Sequence, residues 1–322
     1  MARQASEMAV GNNVTLGQKS GLRKRLAVLY KYRYLYLLML PGAVYFAIFK
    51  YYPMWGILMA FKNYQPFLGF AKSQWVGMQN FDQLFTNFEF VQLIANTLLL
   101  SLWNIVLFFP APIILSLLLN EVRKLWFKKS VQTAIYLPHF ISIVVVVGIT
   151  FDLFTTDGGA VNNFLQHNFG FQIDFLGSPQ WFRPLLTIQT MWQQTGWGTI
   201  LFLAALSNVD VELYDAARVD GAGRWRQMWH VTLPSIRSTI VILLILRMGG
   251  ILNSGFEQVY LMTNSLNQNV ANVFDTYVYF VGLTQGSYSY ATAVGLFKGV
   301  VGAILIFGSN LFARLVGERG LF

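Results

Sequence analysis

Six apolar stretches, each long enough to cross the roughly 30 Å hydrocarbon layer of a bilayer, alternate with shorter polar segments along the chain. Each holds about the 20 residues that a transmembrane helix needs. They lie near residues 35–60, 94–119, 131–155, 183–207, 237–260 and 288–316. The pattern predicts an all-α integral membrane protein with six transmembrane helices. Pro41 and Pro53 predict a kink or an early end in the first of them.

The composition agrees with residence in a membrane. Of the 322 residues, 55% are hydrophobic and only 11% are charged, whereas about a quarter of the residues in soluble domains are charged. The chain has no cysteine, which excludes a disulfide framework and a thiolate metal site.

The basic residues indicate an orientation. Most of the 23 lysines and arginines fall in the segments that this topology places on one side of the membrane. Because positive loops stay inside, both termini are expected in the cytoplasm. The net charge of +9 is thereby explained by topology, and no nucleic-acid partner is expected.

Residues 1–34 are predicted to form a cytoplasmic tail and a basic segment, and residues 35–322 a transmembrane domain with a cytoplasmic loop at 207–236. The first 20 residues lack the apolar core of a cleaved signal peptide. Residues 22–34 interleave basic residues with Leu and Tyr. Two interpretations stay open for them, an interfacial helix on anionic lipid and a simple positive stop before the first span.

The loop at 207–236 is too polar to span a membrane and too patterned for a linker. Its residues predict a helix over 211–219, a reversal at Gly221 and Gly223, and a second helix. The second helix has an apolar stripe at helical spacing, formed by Trp225, Met228 and Trp229. A proline that follows is placed to open the fifth span.

The same loop resembles the EAA loop of ATP-binding-cassette importer permeases. The residues that carry the resemblance are Glu212, Leu213, Tyr214, Asp215, Ala216, Ala217, Asp220, Gly221, Ala222, Gly223, Leu233 and Pro234. The sequence departs from the pattern at Asp215 in place of glutamate, at Val231 in place of isoleucine and at Asp210 in place of proline. None of these departures removes the acidic charge or the helix.

The resemblance extends over most of the chain from about residue 35. Trp75-Val76-Gly77-Met78-Gln79-Asn80-Phe81, Asn96-Thr97-Leu98 and Tyr136-Leu137-Pro138 are similar to elements of maltose-type oligosaccharide permeases. It implies the type I importer permease fold in a bacterial cell membrane, with oligosaccharides as cargo, including polysaccharide-derived or acidic ones. A non-sugar solute is the alternative.

The resemblance also implies a set of partners. A second homologous permease, two ATPase subunits that bind ATP and magnesium, and an extracellular solute-binding protein are expected, and this chain itself holds no cofactor. The loop helix would be a coupling helix that sits in a cleft of the ATPase. The external segments 62–92 and 156–182, with Trp75, Phe81, Asp157, Asp174 and Trp181, are candidates to meet the binding protein.

Two polar clusters inside spans are candidates for a substrate pathway, because polar side chains in hydrocarbon usually face a cavity or another helix. The first comprises Gln189, Trp192, Gln193, Gln194 and Trp197; the second comprises Arg247, Asn253, Glu257 and Gln258. Gly250, Asn253, Ser254 and Glu257 recur at helical spacing and predict one stripe. Hydrogen bonding between helices is the competing interpretation.

Other function classes have less support. No phosphate-binding G-x-x-x-x-G-K-[ST] motif, nucleophile elbow or zinc-binding grouping occurs, so neither an enzyme nor a metal site is expected. His139 is expected to bond within the bundle. A stand-alone secondary transporter remains the competing class, although it would make no use of the EAA-like loop.

Overall fold

Helices make up most of the computed structural model, which describes residues 30–253, 255–315 and 317. The helices are α1 (Arg33–Phe61), α2 (Gly69–Lys72), α3 (Gln79–Thr86), α4 (Glu89–Glu121), α5 (Leu125–Phe140), α6 (Ile143–Phe154), α7 (Ala160–Phe169), α8 (Pro179–Leu206), α9 (Val211–Val219), α10 (Arg224–Ser235), α11 (Arg237–Gly249), α12 (Phe256–Met262), α13 (Gln268–Ala271), α14 (Phe274–Tyr279) and α15 (Tyr288–Leu315). Two short antiparallel strands, β1 (Lys62–Asn63) and β2 (Gln74–Trp75), pair after α1.

The chain divides into two compact units, 1–58 and 59–322. The predicted N-terminal tail and most of the basic segment, residues 1–29, lie outside the described residues, as does Ser254. The proposed boundary at residue 35 therefore stays a prediction.

Three described helices, α1, α4 and α15, are long and apolar enough to cross a membrane, and up to five crossings result if each of two bent pairs is one span. α8 has 28 residues but includes the polar cluster around Gln193. The structure thus has several candidate transmembrane helices, and the count of six stays a prediction.

Prolines widen three of these helices. In each of these three helices a π turn ends two residues before a proline. The π turns are Ala47–Tyr51 before Pro53, Asn104–Phe108 before Pro110, and Met228–Thr232 before Pro234. Proline lacks an N–H and its ring crowds the carbonyl one turn back, so the wider turn re-pairs the backbone. The first span therefore does not end early at Pro53, because α1 continues to Phe61.

The third predicted span, 131–155, is not one straight helix. α5 and α6 meet at an angle of 99° across a short break. The break follows a 3-10 turn that contains Pro138, and the Ser142 hydroxyl caps α6 by accepting the Val144 N–H at 3.3 Å.

The fifth predicted span, 237–260, is also not one helix. α11 ends at Gly249, and α12 begins after Gly255, which has a left-handed φ of +72°. Gly250, Asn253 and Glu257 therefore do not form the single helical stripe that their spacing predicts. The two helices are joined by non-helical backbone.

α8 packs closely against α4 and α5 because two of its residues lack a side chain. A Cβ at Gly196 would lie 1.8 Å from the Ile135 carbonyl oxygen, and one at Gly198 would lie 2.8 Å from Pro112. Small residues at such crossings let helix backbones approach each other in membranes. Near the end of α8 that leads into α9, Leu117, Phe202, Leu206, Met228 and Ile236 form one apolar core.

Candidate functional site: the α9–α10 loop and the central cavity

The helix predicted over 211–219 is present as α9. Its N-cap is Asp210, whose carboxylate accepts the Glu212 N–H at 2.9 Å. Aspartate satisfies a free N–H at a helix start, which proline cannot do with a side chain. Asp210, where the family pattern has proline, therefore caps the start of α9 with its side chain.

The reversal after α9 depends on Gly221, which has a φ of +76°. The Ala222 N–H donates to the Ala217 carbonyl at 2.8 Å, and the Gln227 amide returns to the Ala222 carbonyl at 2.7 Å. A residue with a Cβ is strained at this φ. The predicted reversal is thus located at Gly221, while Gly223 has an extended conformation and caps α10.

One hydroxyl pair joins the two helices of the loop, and one buried side chain of α10 packs into the bundle. The Tyr214 hydroxyl donates to the Thr232 hydroxyl at 3.1 Å, and Met228 is buried in the core with Leu206 and Ile236. The predicted stripe divides here, because Trp225 and Trp229 are 69% and 60% exposed while Met228 is buried.

α9 presents most of its residues to the outside. Its exposed side chains include Glu212, Leu213, Asp215 and Ala216, whereas Ala217 is half-buried, and Asp220 after its last turn is exposed. Arg218 donates to Asp215 at 2.9 Å, a pair in which both side chains are mostly exposed. The helix thus offers a surface that is acidic and apolar together.

Leu233 and Pro234 lie in the last turn of α10, one turn before the fifth predicted span. α10 and α11 meet at 58°, and Ile236 between them is buried. The sequence pattern predicts that Pro234 opens the fifth span. Pro234 instead lies near the end of the loop segment, before α11 begins.

A cavity of about 730 Å³, which we call the central cavity, lies along α8. Seven of the predicted pathway residues line it: Gln193, Gln194, Trp197, Arg247, Asn253, Glu257 and Gln258. Residues of α11 and α12 thus line one cavity on both sides of the break between these helices.

Gln189 and Trp192 lie outside that lining. The Gln189 amide donates to the Thr150 hydroxyl at 2.7 Å and accepts from the Gln258 amide at 2.7 Å, all buried. Gln189 therefore fits the competing interpretation, hydrogen bonding between helices. The Trp192 side chain is about half exposed and does not contribute to the cavity wall.

Asn104 and Thr190 were missed by sequence reasoning, although both line the cavity. The Asn104 Oδ1 atom is buried and has no hydrogen-bond partner among the described residues. An amide in the middle of the apolar stretch 94–119 was the available signal. Asn104 lines the same cavity as Arg247, whose guanidinium lies 4.9 Å from the Phe108 ring centroid.

His139 bonds within the bundle, as predicted. Its ring stacks on Trp197 with centroids 4.3 Å apart and planes 6° apart, and its Nδ1 atom lies 2.9 Å from the Gln194 Oε1 atom. This contact holds two cavity residues in place. Among the residues that the structure describes, no cluster of three or more His, Cys, Asp or Glu side chains is placed to hold a metal.

Asn96 and Asn80, from two of the sequence elements that resemble oligosaccharide permeases, connect distant segments of the chain. The Asn96 amide donates to the Asn269 and Asn272 carbonyls at 2.8 and 3.1 Å and accepts from Arg183 at 2.9 Å. The Asn80 amide donates to the Ala60 and Lys62 carbonyls. These residues organise the end of the bundle opposite α9.

Residues 109–319 match the family described as "Binding-protein-dependent transport system inner membrane component". The chain belongs to this family. The permease is 59% identical to Protein LplB of Bacillus subtilis (strain 168) over 92% of this chain and 93% of that protein. It is 54% identical to the polygalacturonan/rhamnogalacturonan transport system permease protein YteP of the same organism, over 94% and 95% of the two chains.

A solved structure of a bacterial alginate ABC transporter contains a similar chain. That structure, in complex with an alginate pentasaccharide-bound periplasmic protein, matches with a TM-score of 0.85 and 38% identity over 92% of this chain and 99% of that one. The expectation of an ATP-binding-cassette permease subunit is confirmed, and the chain is a membrane component and not an enzyme.

Proposed function

We propose that the permease carries oligosaccharides, including acidic ones, into the cytoplasm through the central cavity. The observation that carries the proposal is the combination of groups on that cavity's wall. Amides, an indole and one guanidinium line the same space, from Gln193, Gln194, Asn253, Gln258, Trp197 and Arg247. Relatives named for polygalacturonan and alginate transport support the cargo class.

Each of these groups suits part of an acidic sugar. Amides both donate and accept hydrogen bonds, as hydroxyl groups require, and an indole offers an apolar face. A guanidinium binds a carboxylate through two parallel N–H···O bonds. Arg247 therefore offers a binding group for the carboxylate of an acidic sugar, in a cavity that Glu257 also lines.

The break between α11 and α12 supports a transport role for the cavity. Non-helical backbone at membrane depth is tolerated where it lines a cavity, and broken helices often build substrate sites in transporters. Asn253 and Gly255, within or beside the break, both line the cavity. If α11 and α12 form one crossing, and α5 and α6 another, α1, α4, α8 and α15 complete six.

We infer that α9 is the coupling helix, docking in a cleft of an ATPase subunit through Glu212, Asp215 and the small Ala216. Two observations support this role. The acidic face of α9 is exposed, and α9 is linked to α10 by the Tyr214–Thr232 hydrogen bond, while Met228 of α10 is buried in the core of the bundle. A force on α9 passes directly to α10 and α11. Two ATPases that hold ATP and magnesium, a second homologous permease and an external solute-binding protein complete the proposed importer, with both termini cytoplasmic.

Uptake by the reconstituted transporter tests the cargo. Arg247→Gln is expected to lower uptake of trigalacturonate about 10- to 100-fold, because a hydrogen bond to a charged group contributes about 1.5–3 kcal/mol. Uptake of neutral galactotriose should stay near wild type. Arg314→Gln, an exposed arginine at the end of α15, is the matched control. A wild-type transporter that imports neither sugar refutes the proposal, and uptake without ATP hydrolysis would favour a secondary transporter.

A further inference from the structure

A second polar pocket of about 430 Å³ lies at the opposite end of the bundle from α9. It is bordered by the end of β1 and the residue after it, by α3 and the residue that follows it, by α14 and by the start of α15. Its lining includes Tyr64, Gln83, Asn87, Tyr277, Tyr288 and Tyr290. We call it the outer pocket. It shares no lining residue with the central cavity.

The outer pocket lies far along α15 from the point where the end of α11 packs. Gly249, at the end of α11, packs against Ile306 of α15, whereas Tyr290 lies in the first turn of that helix. The 16 residues between them span about 24 Å at 1.5 Å per residue. With α9 in the cytoplasm, this end of the bundle faces the outside.

One of the two tyrosine hydroxyls in the outer pocket, those of Tyr277 and Tyr290, has a hydrogen without an acceptor. The Asn87 amide donates to the Tyr277 and Tyr290 hydroxyls at 3.0 and 3.2 Å, and these hydroxyls lie 3.3 Å apart. Both amide hydrogens are used, and only one hydroxyl can donate to the other. The second hydroxyl hydrogen has no acceptor among the described residues, and a buried donor needs a partner.

The Tyr277 hydroxyl is a donor at any ordinary pH. Burial raises the pKa of Tyr277 above its usual value, and the hydrogen bond with Tyr290 raises it further. The Tyr277 hydroxyl therefore stays protonated and polar.

The rim offers further unpaired amides. The side chains of Asn63, Gln83 and Gln285 are exposed and make no hydrogen bond within the described part of the chain. Beside them the Tyr64 and Tyr288 rings meet edge to face with centroids 6.1 Å apart, and the Tyr64 N–H is fixed to the Ser289 hydroxyl at 2.7 Å. Ring faces and amides together suit a molecule with apolar C–H edges and many hydroxyls.

We propose that the outer pocket is a saccharide site that holds one or two units of the cargo before they reach the central cavity. The proposal rests on the sugar cargo proposed above. No Asp, Glu, Lys or Arg lines the outer pocket, in contrast to Arg247 and Glu257 in the central cavity. The outer pocket therefore recognises hydroxyl groups, and the central cavity adds selection by charge.

Binding of labelled trigalacturonate to the complete transporter in nanodiscs, without the solute-binding protein, tests the outer pocket. In the Arg247→Gln background, binding is expected to persist and to weaken about three- to tenfold on adding Gln83→Ala, the loss of one or two neutral hydrogen bonds. Gln79→Ala is the matched control, an exposed glutamine one turn earlier on α3 that does not line the pocket. Tyr290→Phe, which keeps the ring, should weaken binding similarly, with ATPase activity reporting intact folding.

Three outcomes overturn the outer pocket. Loss of all binding in Arg247→Gln places the sugar in the central cavity alone, and the proposed function stands. Unchanged sugar binding in Gln83→Ala with weaker capture of the solute-binding protein makes the pocket a protein-docking site. A wild type that imports trigalacturonate but binds none in nanodiscs also removes the outer site, whereas absence of both binding and uptake refutes the sugar cargo itself.

Discussion

The Tyr214 hydroxyl of α9 donates a hydrogen bond to the Thr232 hydroxyl of α10 at 3.1 Å, linking the loop helix to the π turn that precedes Pro234. Thr232 is buried and Tyr214 is half-buried, so water competes weakly for this bond. The exposed face of α9 is therefore joined to the helix that leads into the membrane.

Removing this bond should loosen coupling. Tyr214→Phe keeps the ring and loses the hydroxyl, at a cost of about 1 kcal/mol, so we expect less sugar imported per ATP hydrolysed while the complex still assembles. The measurement is transport and ATPase activity in the same proteoliposomes. Tyr45→Phe, an exposed tyrosine of α1, is the control. A wild-type ratio in Tyr214→Phe would show that the bond does not transmit force.

Reversing the charge of α9 should detach the ATPase. Glu212→Lys with Asp215→Lys replaces two exposed carboxylates by ammonium groups, which would repel basic groups on the partner. We expect loss of the ATPase subunit in a mild-detergent pull-down and loss of transport. Glu121→Lys reverses an exposed acid at the end of α4 and should retain the ATPase. Normal transport by the double variant would contradict the coupling role.

The Asp210 cap can be tested separately from charge. Asp210→Ala removes the acceptor of the Glu212 N–H and should destabilise α9 by about 0.5–2 kcal/mol. Hydrogen exchange of the 211–219 amides should then be faster, whereas Asp210→Asn, which keeps an acceptor oxygen, should exchange much as wild type does. Equal exchange in Asp210→Ala would mean that packing alone holds the helix.

Two glycines provide a test of helix packing. Gly196→Ala places a methyl group 1.8 Å from the Ile135 carbonyl and should destabilise the permease by about 1–3 kcal/mol or more. Gly148→Ala in α6 meets nothing within 4 Å and should leave the thermal unfolding midpoint unchanged or slightly higher. A matching midpoint for both variants would contradict the close crossing of α5 and α8.

The absence of cysteine allows the orientation to be tested by labelling. Phe67→Cys, almost fully exposed between β1 and β2, should react with an impermeant maleimide in intact cells. Lys124→Cys, between α4 and α5, should react only after permeabilisation. Labelling in the reverse order would place the termini outside.

Local sequence signals predicted α9 and its reversal well, because Gly221 and the residues around it act on their own backbone. The breaks in the third and fifth spans were missed, since apolar composition is the same whether a segment is straight or bent. Gly249, Gly250 and Gly255 were a signal for the second break. The role of Gln189 also depended on tertiary placement, because Thr150 and Gln258 come from other helices.

The break after Gly249 leaves α11 as a separate helix, with the α9–α10 loop at one end and Arg247 near the other. The ten residues from Arg237 to Arg247 span about 15 Å. A 10° tilt of α11 about Arg237 would thus carry Arg247 sideways by about 3 Å, roughly the length of one hydrogen bond, while α12 keeps its position. A displacement of that size at Arg247 would be enough to break a hydrogen bond between its guanidinium and a carboxylate bound in the cavity.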